Sequence, residues 1–175
     1  SVHHVNGAIA VADTARAHGF PSLIVPAEDA AEAALVPGVN VYGVDTLVGL
    51  VRHLVGEETI SPQPPSEIDT DVVDETTTDF AEVRGQEHAK RGLEVAAAGA
   101  HNCIMVGTPG SGKTLLARAL PGILPRLTPA EALDVTRIYS VGGLLGREQA
   151  YARTRPFRAP HHTVSYAGLV GGGHV

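Results

Sequence analysis

The sequence predicts an α/β fold, and three observations carry that prediction. Hydrophobic residues make up 43% of the 175 residues but aromatics only 4%, a core of Ala, Val, Leu and Ile that suits helices packed on parallel strands. Short apolar runs alternate with stretches of helical periodicity. One apolar run, at 103–106, leads through the glycine-rich string GTPGSGKT into a further helical stretch, the strand–loop–helix order of a parallel α/β unit.

The elements follow in order. Ile9, Val11, Ala12 and Ala15 lie at helical spacing before Gly19, a C-terminal cap, and 22–25 is a short strand. A helix over 27–35 stops before Pro37 and Gly38, and 39–42 is the second strand. Leu47, Leu50, Val51 and Leu54 share a helix face that ends at Gly56. Two strands cannot make a well-covered sheet, so residues 1–56 read as half of a domain. Residues 57–79 follow as an acidic, proline-rich linker, with Pro62, Pro64, Pro65 and a threonine run, too poor in apolar surface to offset the entropy of ordering.

Order resumes at Phe80, with a helix over 86–98 ending at Gly99. The run 103–106 reads as a buried strand that holds Cys103 in the core, and Leu115, Leu116, Ala117 and Leu120 form a helix stopped by Pro121. Thr128, Pro129 and Glu131 mark another helix start: Thr128 caps free amides, Pro129 lacks the amide that would be orphaned, and Glu131 completes a reciprocal cap. That helix runs to about residue 139, and the glycine-, arginine- and proline-rich remainder gives no regular pattern.

Charge is distributed unevenly. The net charge of −6 argues against a general nucleic-acid binder, yet residues 57–83 hold nine acids and no base, whereas 84–175 hold eleven bases against five acids. The segment bearing the glycine-rich string is therefore basic. With one cysteine, no signal-peptide pattern and no long apolar run, the chain reads as a soluble cytoplasmic protein without a membrane partner.

GTPGSGKT at 107–114 matches the G-x-x-x-x-G-K-[ST] phosphate loop. Gly107, Thr108, Pro109, Gly110, Ser111, Gly112, Lys113, Thr114 and Leu115 are accordingly the expected nucleotide-binding residues. The glycines allow successive amides to turn inward, and the helix N-terminus adds partial positive charge. Lys113, one of only two lysines beside eleven arginines, is the expected catalytic cation for the β and γ phosphates, and the Thr114 hydroxyl is the expected magnesium ligand. The expected ligand is ATP with Mg2+, with GTP the alternative.

These surroundings resemble the ComM/YifB family of bacterial AAA+ ATPases, described as magnesium-chelatase-like. The stretches DFAEVRGQEHAKRGLEVAAAGAHNCIMVGTPGSGKTLLARALPGILP and RPFRAPHHTVSYAGLVGGG carry the resemblance. It implies a fold in which 1–56 is the C-terminal half of a Lon-like (ribosomal S5 domain 2-like) αβ unit, 57–79 a linker and 80–175 the first part of an AAA+ phosphate-loop module. It also implies that Val83 and Gly85 lie beside the adenine. The position that carries a catalytic lysine in Lon-like proteases falls on Ile9, and no lysine precedes Lys90, which speaks against peptidase activity. The resemblance further implies a fragment that stops before the acidic magnesium motif and is itself inactive. Its parent would be a hexameric ATP hydrolase acting on single-stranded or branched DNA as a branch-migration motor in transformation. A chelatase-type motor for metal insertion and a non-hydrolysing nucleotide-binding scaffold are the alternatives.

Other constellations carry less. His161 and His162 are adjacent and lack Cys or acidic partners at ligand spacing, so a structural or family-specific role is expected, and His3 and His4 read as an exposed pair of no assigned function. Arg147, Arg153, Arg155 and Arg158, interleaved with Tyr151 and Phe157, suit either a nucleic-acid backbone or a neighbouring subunit's carboxylates.

Overall fold

A computed structural model describes residues 1–69, 78–146, 149–161, 163–165, 168 and 171. Among them are six α-helices and a two-stranded parallel sheet, the mixed α/β class expected. The described residues fall into two compact units: those of Ser1–Thr76 with Pro125–Arg155, and those of Thr77–Leu124 with Pro156–Val175.

The first unit begins with α1 (Ala8–Ala17), β1 (Ser22–Pro26), a 3-10 turn (Ala27–Asp29) and α2 (Ala30–Ala33). It continues through β2 (Asn40–Val44) and α3 (Leu47–Val55). β1 and β2 pair in parallel from Ser22 opposite Asn40 to Pro26 opposite Val44, with α2 as crossover. α2 comes so close to β2 that a Cβ on Gly43 would lie 3.0 Å from Ala30 Cβ and 3.1 Å from Ala27 Cα. Ile9 and Ala12 of α1, fully buried, join Val25, Ala33, Val36, Val41 and Tyr151 in one apolar core. α3 forms between the Thr46 side-chain cap and the left-handed Gly56, and its apolar face, including Leu47, Val51 and Leu54, is exposed.

Residues 57–69, expected to lack order, run along this unit. Ile60 N–H donates to His53 Nδ1 at 3.1 Å, Gln63 N–H to Val41 O at 2.7 Å and Ser66 N–H to Ala34 O at 3.2 Å. The Tyr151 hydroxyl both accepts from Asp69 N–H at 3.0 Å and donates to Asp69 O at 3.2 Å. Pro62, Pro64 and Pro65 explain why so little apolar burial suffices: they restrict the unfolded segment and lower the entropy lost on docking. Residues 70–77, with most of the threonine run, lie outside the described residues.

The same unit takes in α6 (Pro129–Val141), the second helix after the glycine-rich loop. Its start is the reciprocal cap read from the sequence: Thr128 N–H donates to Glu131 Oε2 at 2.8 Å and Glu131 N–H to Thr128 Oγ1 at 3.3 Å. Ala132, Thr136 and Ser140, four residues apart, form its buried face and pack against α1. Because the N-cap of α1 is Gly7, which has no capping side chain, distant groups satisfy the first amides of that helix. Gly7 N–H donates to Ser140 Oγ at 2.8 Å, Ser140 Oγ–H to Glu32 Oε1 at 2.5 Å, and Ile9 N–H to the same Glu32 oxygen at 2.8 Å.

In the second unit α4 (Glu87–Gly99) and α5 (Lys113–Ile123) enclose a small core of Val83, Leu93, Leu116 and Ala119. Two expectations are corrected here. Residues 103–106 pair with no strand among the described residues, Cys103 is exposed, and Ile104 and Val106 are each 89% exposed. An apolar run becomes a strand only beside a partner that takes up its backbone hydrogen bonds. Pro121 does not stop α5, which continues to Ile123; a proline within the last turn removes one amide donor without preventing the turn from closing.

Candidate nucleotide-binding site

The site is built where the chain turns into α5. Gly110 and Gly112 take left-handed φ values of 79° and 84°, which glycine adopts without steric penalty. Gly112 is also the N-cap of α5 and offers no side chain. The first helical bond is Leu116 N–H to Gly112 O at 3.0 Å, so the amides of Lys113, Thr114 and Leu115 have no partner within the helix. The loop closes with Ser111 N–H on Thr108 O at 3.3 Å. Lys113 folds back over it, its Nζ donating to Gly107 O at 2.9 Å, Thr108 O at 2.7 Å and Ser111 Oγ at 3.2 Å. A mobile ammonium, glycine-framed backbone and uncapped helical amides in one place form a site for a polyanion.

The loop opens on a cavity of about 520 Å3, within the range of small-molecule sites. Gly107, Thr108, Ser111 and Lys113 line its polar end, Ala89, Gly92 and Leu93 of α4 one wall, and Cys103, Met105 and Leu116 much of the rest. The chemistry of these groups suits a polyphosphate, and the loop packs closely at Gly107, where a Cβ would sit 3.0 Å from Ser111 Oγ and 3.9 Å from Lys113 Cδ. For the magnesium expected with it, Thr114 offers an exposed hydroxyl in the first helical turn. No group of three His, Cys, Asp or Glu suited to a metal occurs among the described residues.

The remaining expected residues divide. Pro109, Gly110, Gly112, Thr114 and Leu115 belong to the loop and first helical turn without lining the cavity. Val83 and Gly85 do not line it either: Val83, 3% exposed, packs in the core of the second unit, and Gly85 is exposed. The wall residue from that stretch is Gln86, which sequence reasoning missed. Gly85 and Gln86 both adopt left-handed φ, 68° and 59°, and that turn sends the chain from Val83 into α4.

The other expected features are placed as follows. His161 Nδ1 lies 2.8 Å from Thr163 Oγ1, while His162 and Arg147 lie outside the described residues. The arginine cluster is not a free basic patch: Arg155 donates to Pro125 O at 2.7 Å and Glu131 Oε1 at 3.1 Å, and Arg153 stacks on the Tyr151 ring at 5.5 Å. The Glu131 carboxyl is held below its usual range, first by the Thr128 backbone amide and then by Arg155. His4 is not idle, since its ring pairs with Asp29. No helix among the described residues is long and apolar enough to cross a membrane.

The loop, the helix it opens and the cavity beside it define a phosphate-loop α/β protein. Residues 79–175, more than half of the chain, match the family described as Magnesium chelatase, subunit ChlI, and the chain belongs to that family, to which an AAA+ phosphate-loop fold is proper. It is 44% identical over 172 residues to an uncharacterized protein of Mycobacterium tuberculosis. It is 39% identical over 184 residues to the competence protein ComM of Haemophilus influenzae and 38% identical over 172 residues to the uncharacterized protein YifB of Escherichia coli. These matches cover 98%, 99% and 98% of this chain, but 34%, 34% and 33% of the relatives. The chain thus spans about a third of the length of the curated relatives it matches.

Proposed function

We propose that this chain is the ATP-binding portion of an AAA+ ATPase of the ComM/YifB type, and that the complete protein hydrolyses ATP to drive remodelling of DNA. The observation that carries the reading is the glycine loop at the head of α5, with Lys113 folded over it beside a cavity of nucleotide size. On this reading the Lys113 ammonium leaves the loop carbonyls for the β and γ phosphates, and the amides of the first turn of α5 hold their oxygens. Thr114 would hold magnesium through its hydroxyl. Magnesium, when bound, supplies charge neutralisation for in-line attack of water on the γ phosphate. Gln86 and the apolar wall from α4 receive the base.

The whole protein would assemble as a hexameric ring in the cytoplasm. Within it, 1–56 would serve as half of a Lon-like domain, 57–79 as linker and 80–175 as the opening of the ATPase module. Ile9, fully buried in the apolar core, fits an N-terminal domain without peptidase chemistry. DNA as substrate rests on similarity to a relative named as a competence protein. A chelatase-type motor is the second reading, favoured by the description of the matched family. Phosphate release by the full-length protein, with and without branched DNA, separates them. Stimulation by DNA supports the first; turnover indifferent to DNA at low salt removes it, and no turnover at all leaves a nucleotide-binding scaffold.

A further inference from the structure

The segment before α1 is tied down by an ionisable pair that nucleotide binding does not use. Val2 N–H donates to Asp45 O at 2.9 Å, His4 N–H to Glu28 Oε1 at 2.5 Å and Val5 N–H to Asp29 Oδ2 at 2.9 Å. The His4 ring meets Asp29 through Nδ1 and lies 3.0 Å from Asn6 Oδ1 through Nε2. Both ring nitrogens therefore face oxygen acceptors. A neutral imidazole can donate only once, whereas the imidazolium can donate to both oxygens together.

Burial makes the pairing consequential. Asp29 is 2% exposed, and a carboxylate withdrawn from water requires a counter-charge; among the described residues, His4 is the cation paired with it. The other ionisable groups facing His4 are acidic: Glu28 from the 3-10 turn and Glu32 from α2, which lines the same small cavity. From the segment after α6, the described residues that reach this cavity are the neutral Leu145, Gly146, Gln149 and Ala150. Three residues beyond His4, Gly7 N–H enters the Ser140–Glu32 relay that caps α1 and seats α6.

We propose that His4 and Asp29 form a proton-controlled latch: protonated His4 holds residues 2–7 on the N-terminal unit and, through Gly7, steadies the seat of α6, and loss of the proton loosens both. The direction follows from linkage. The hydrogen bond to Asp29 is the chief influence raising the His4 pKa above its ordinary 6.5. The latch is thus fully present below that value and is lost as pH rises through the higher folded value.

The test is amide hydrogen exchange combined with a histidine-ring NMR titration of the full chain from about pH 6 to about pH 9. Corrected for intrinsic exchange, protection at Val5 and Gly7 should fall together, by about tenfold for each unit by which the His4 midpoint exceeds that of the urea-unfolded chain. His4→Lys, which keeps the charge, should leave both protections flat across the range. A His4 midpoint equal to the unfolded one, protection independent of pH, or a fall at Val5 without one at Gly7 would each overturn the proposal, as would a His4→Lys profile that follows the wild type.

Discussion

Replacing Glu32 by alanine removes the acceptor that Ile9 N–H and Ser140 Oγ–H share, at 2.8 Å and 2.5 Å, inside a residue that is 6% exposed. Hydrogen bonds to a charged group contribute about 1.5–3 kcal/mol each, and a donor left buried without a partner costs a similar amount. Relief of the carboxylate's own desolvation offsets part of this, which leaves a net loss of roughly 3 kcal/mol for Glu32→Ala. Glu32→Gln retains an oxygen in the same place and loses only the charge, for about 1 kcal/mol. Urea unfolding followed by tyrosine fluorescence suits the comparison, because three of the four tyrosines, Tyr42, Tyr139 and Tyr151, lie in the first unit and the chain has no tryptophan. Equal losses for the two variants, or a loss below about 0.5 kcal/mol for alanine, would refute the view that a distant carboxylate caps α1.

Tyr151→Phe deletes both hydrogen bonds between the hydroxyl and the Asp69 backbone, and should cost about 1 kcal/mol; exchange at the Asp69 amide should quicken while that at Val41 does not. The depressed Glu131 pKa means that its cap on α6 contributes stability above the ordinary value of 4.5, and that this contribution is lost as pH falls through the lower folded value. Glu131→Gln should therefore flatten the acid limb of a stability-against-pH curve, and an unchanged limb would count against the Thr128, Glu131 and Arg155 arrangement. Leu116→Ala opens a hole in the small core of the second unit and should cost about 2–4 kcal/mol by denaturant titration followed by far-UV circular dichroism.

The elements legible in the sequence were those whose signals are local. The Thr128-Pro129-Glu131 start of α6 and the Gly56 end of α3 were correctly read because these two termini are satisfied by residues within one turn of them. The loop at 107–114 was legible for the same reason, its glycines and lysine being contiguous. What could not be read depended on partners far along the chain. The strap at 57–69 is held by Val41, Ala34 and Tyr151, and α1 is capped by Glu32 and Ser140, with nothing in the local composition to announce either. At 103–106 hydrophobicity signalled a strand, but pairing is a property of two segments. Val83 was sorted by resemblance toward the base, whereas its burial with Leu93, Leu116 and Ala119 leaves the cavity wall to Gln86.

The central claim is that the loop from Gly107 to Thr114 holds the phosphates of ATP. Titration of the full-length protein with a fluorescent ATP analogue in the presence of magnesium, wild type against Lys113→Ala, tests it most directly. Lys113 lies at the surface of the loop with its ammonium on loop carbonyls, so the variant should keep its fold, as far-UV circular dichroism will show. Loss of a charge-assisted contact of about 1.5–3 kcal/mol should weaken binding by about tenfold to about a hundredfold. Saturable wild-type binding with that loss is the predicted result. Affinity that is the same in both proteins, or no binding by the wild type, would contradict the account.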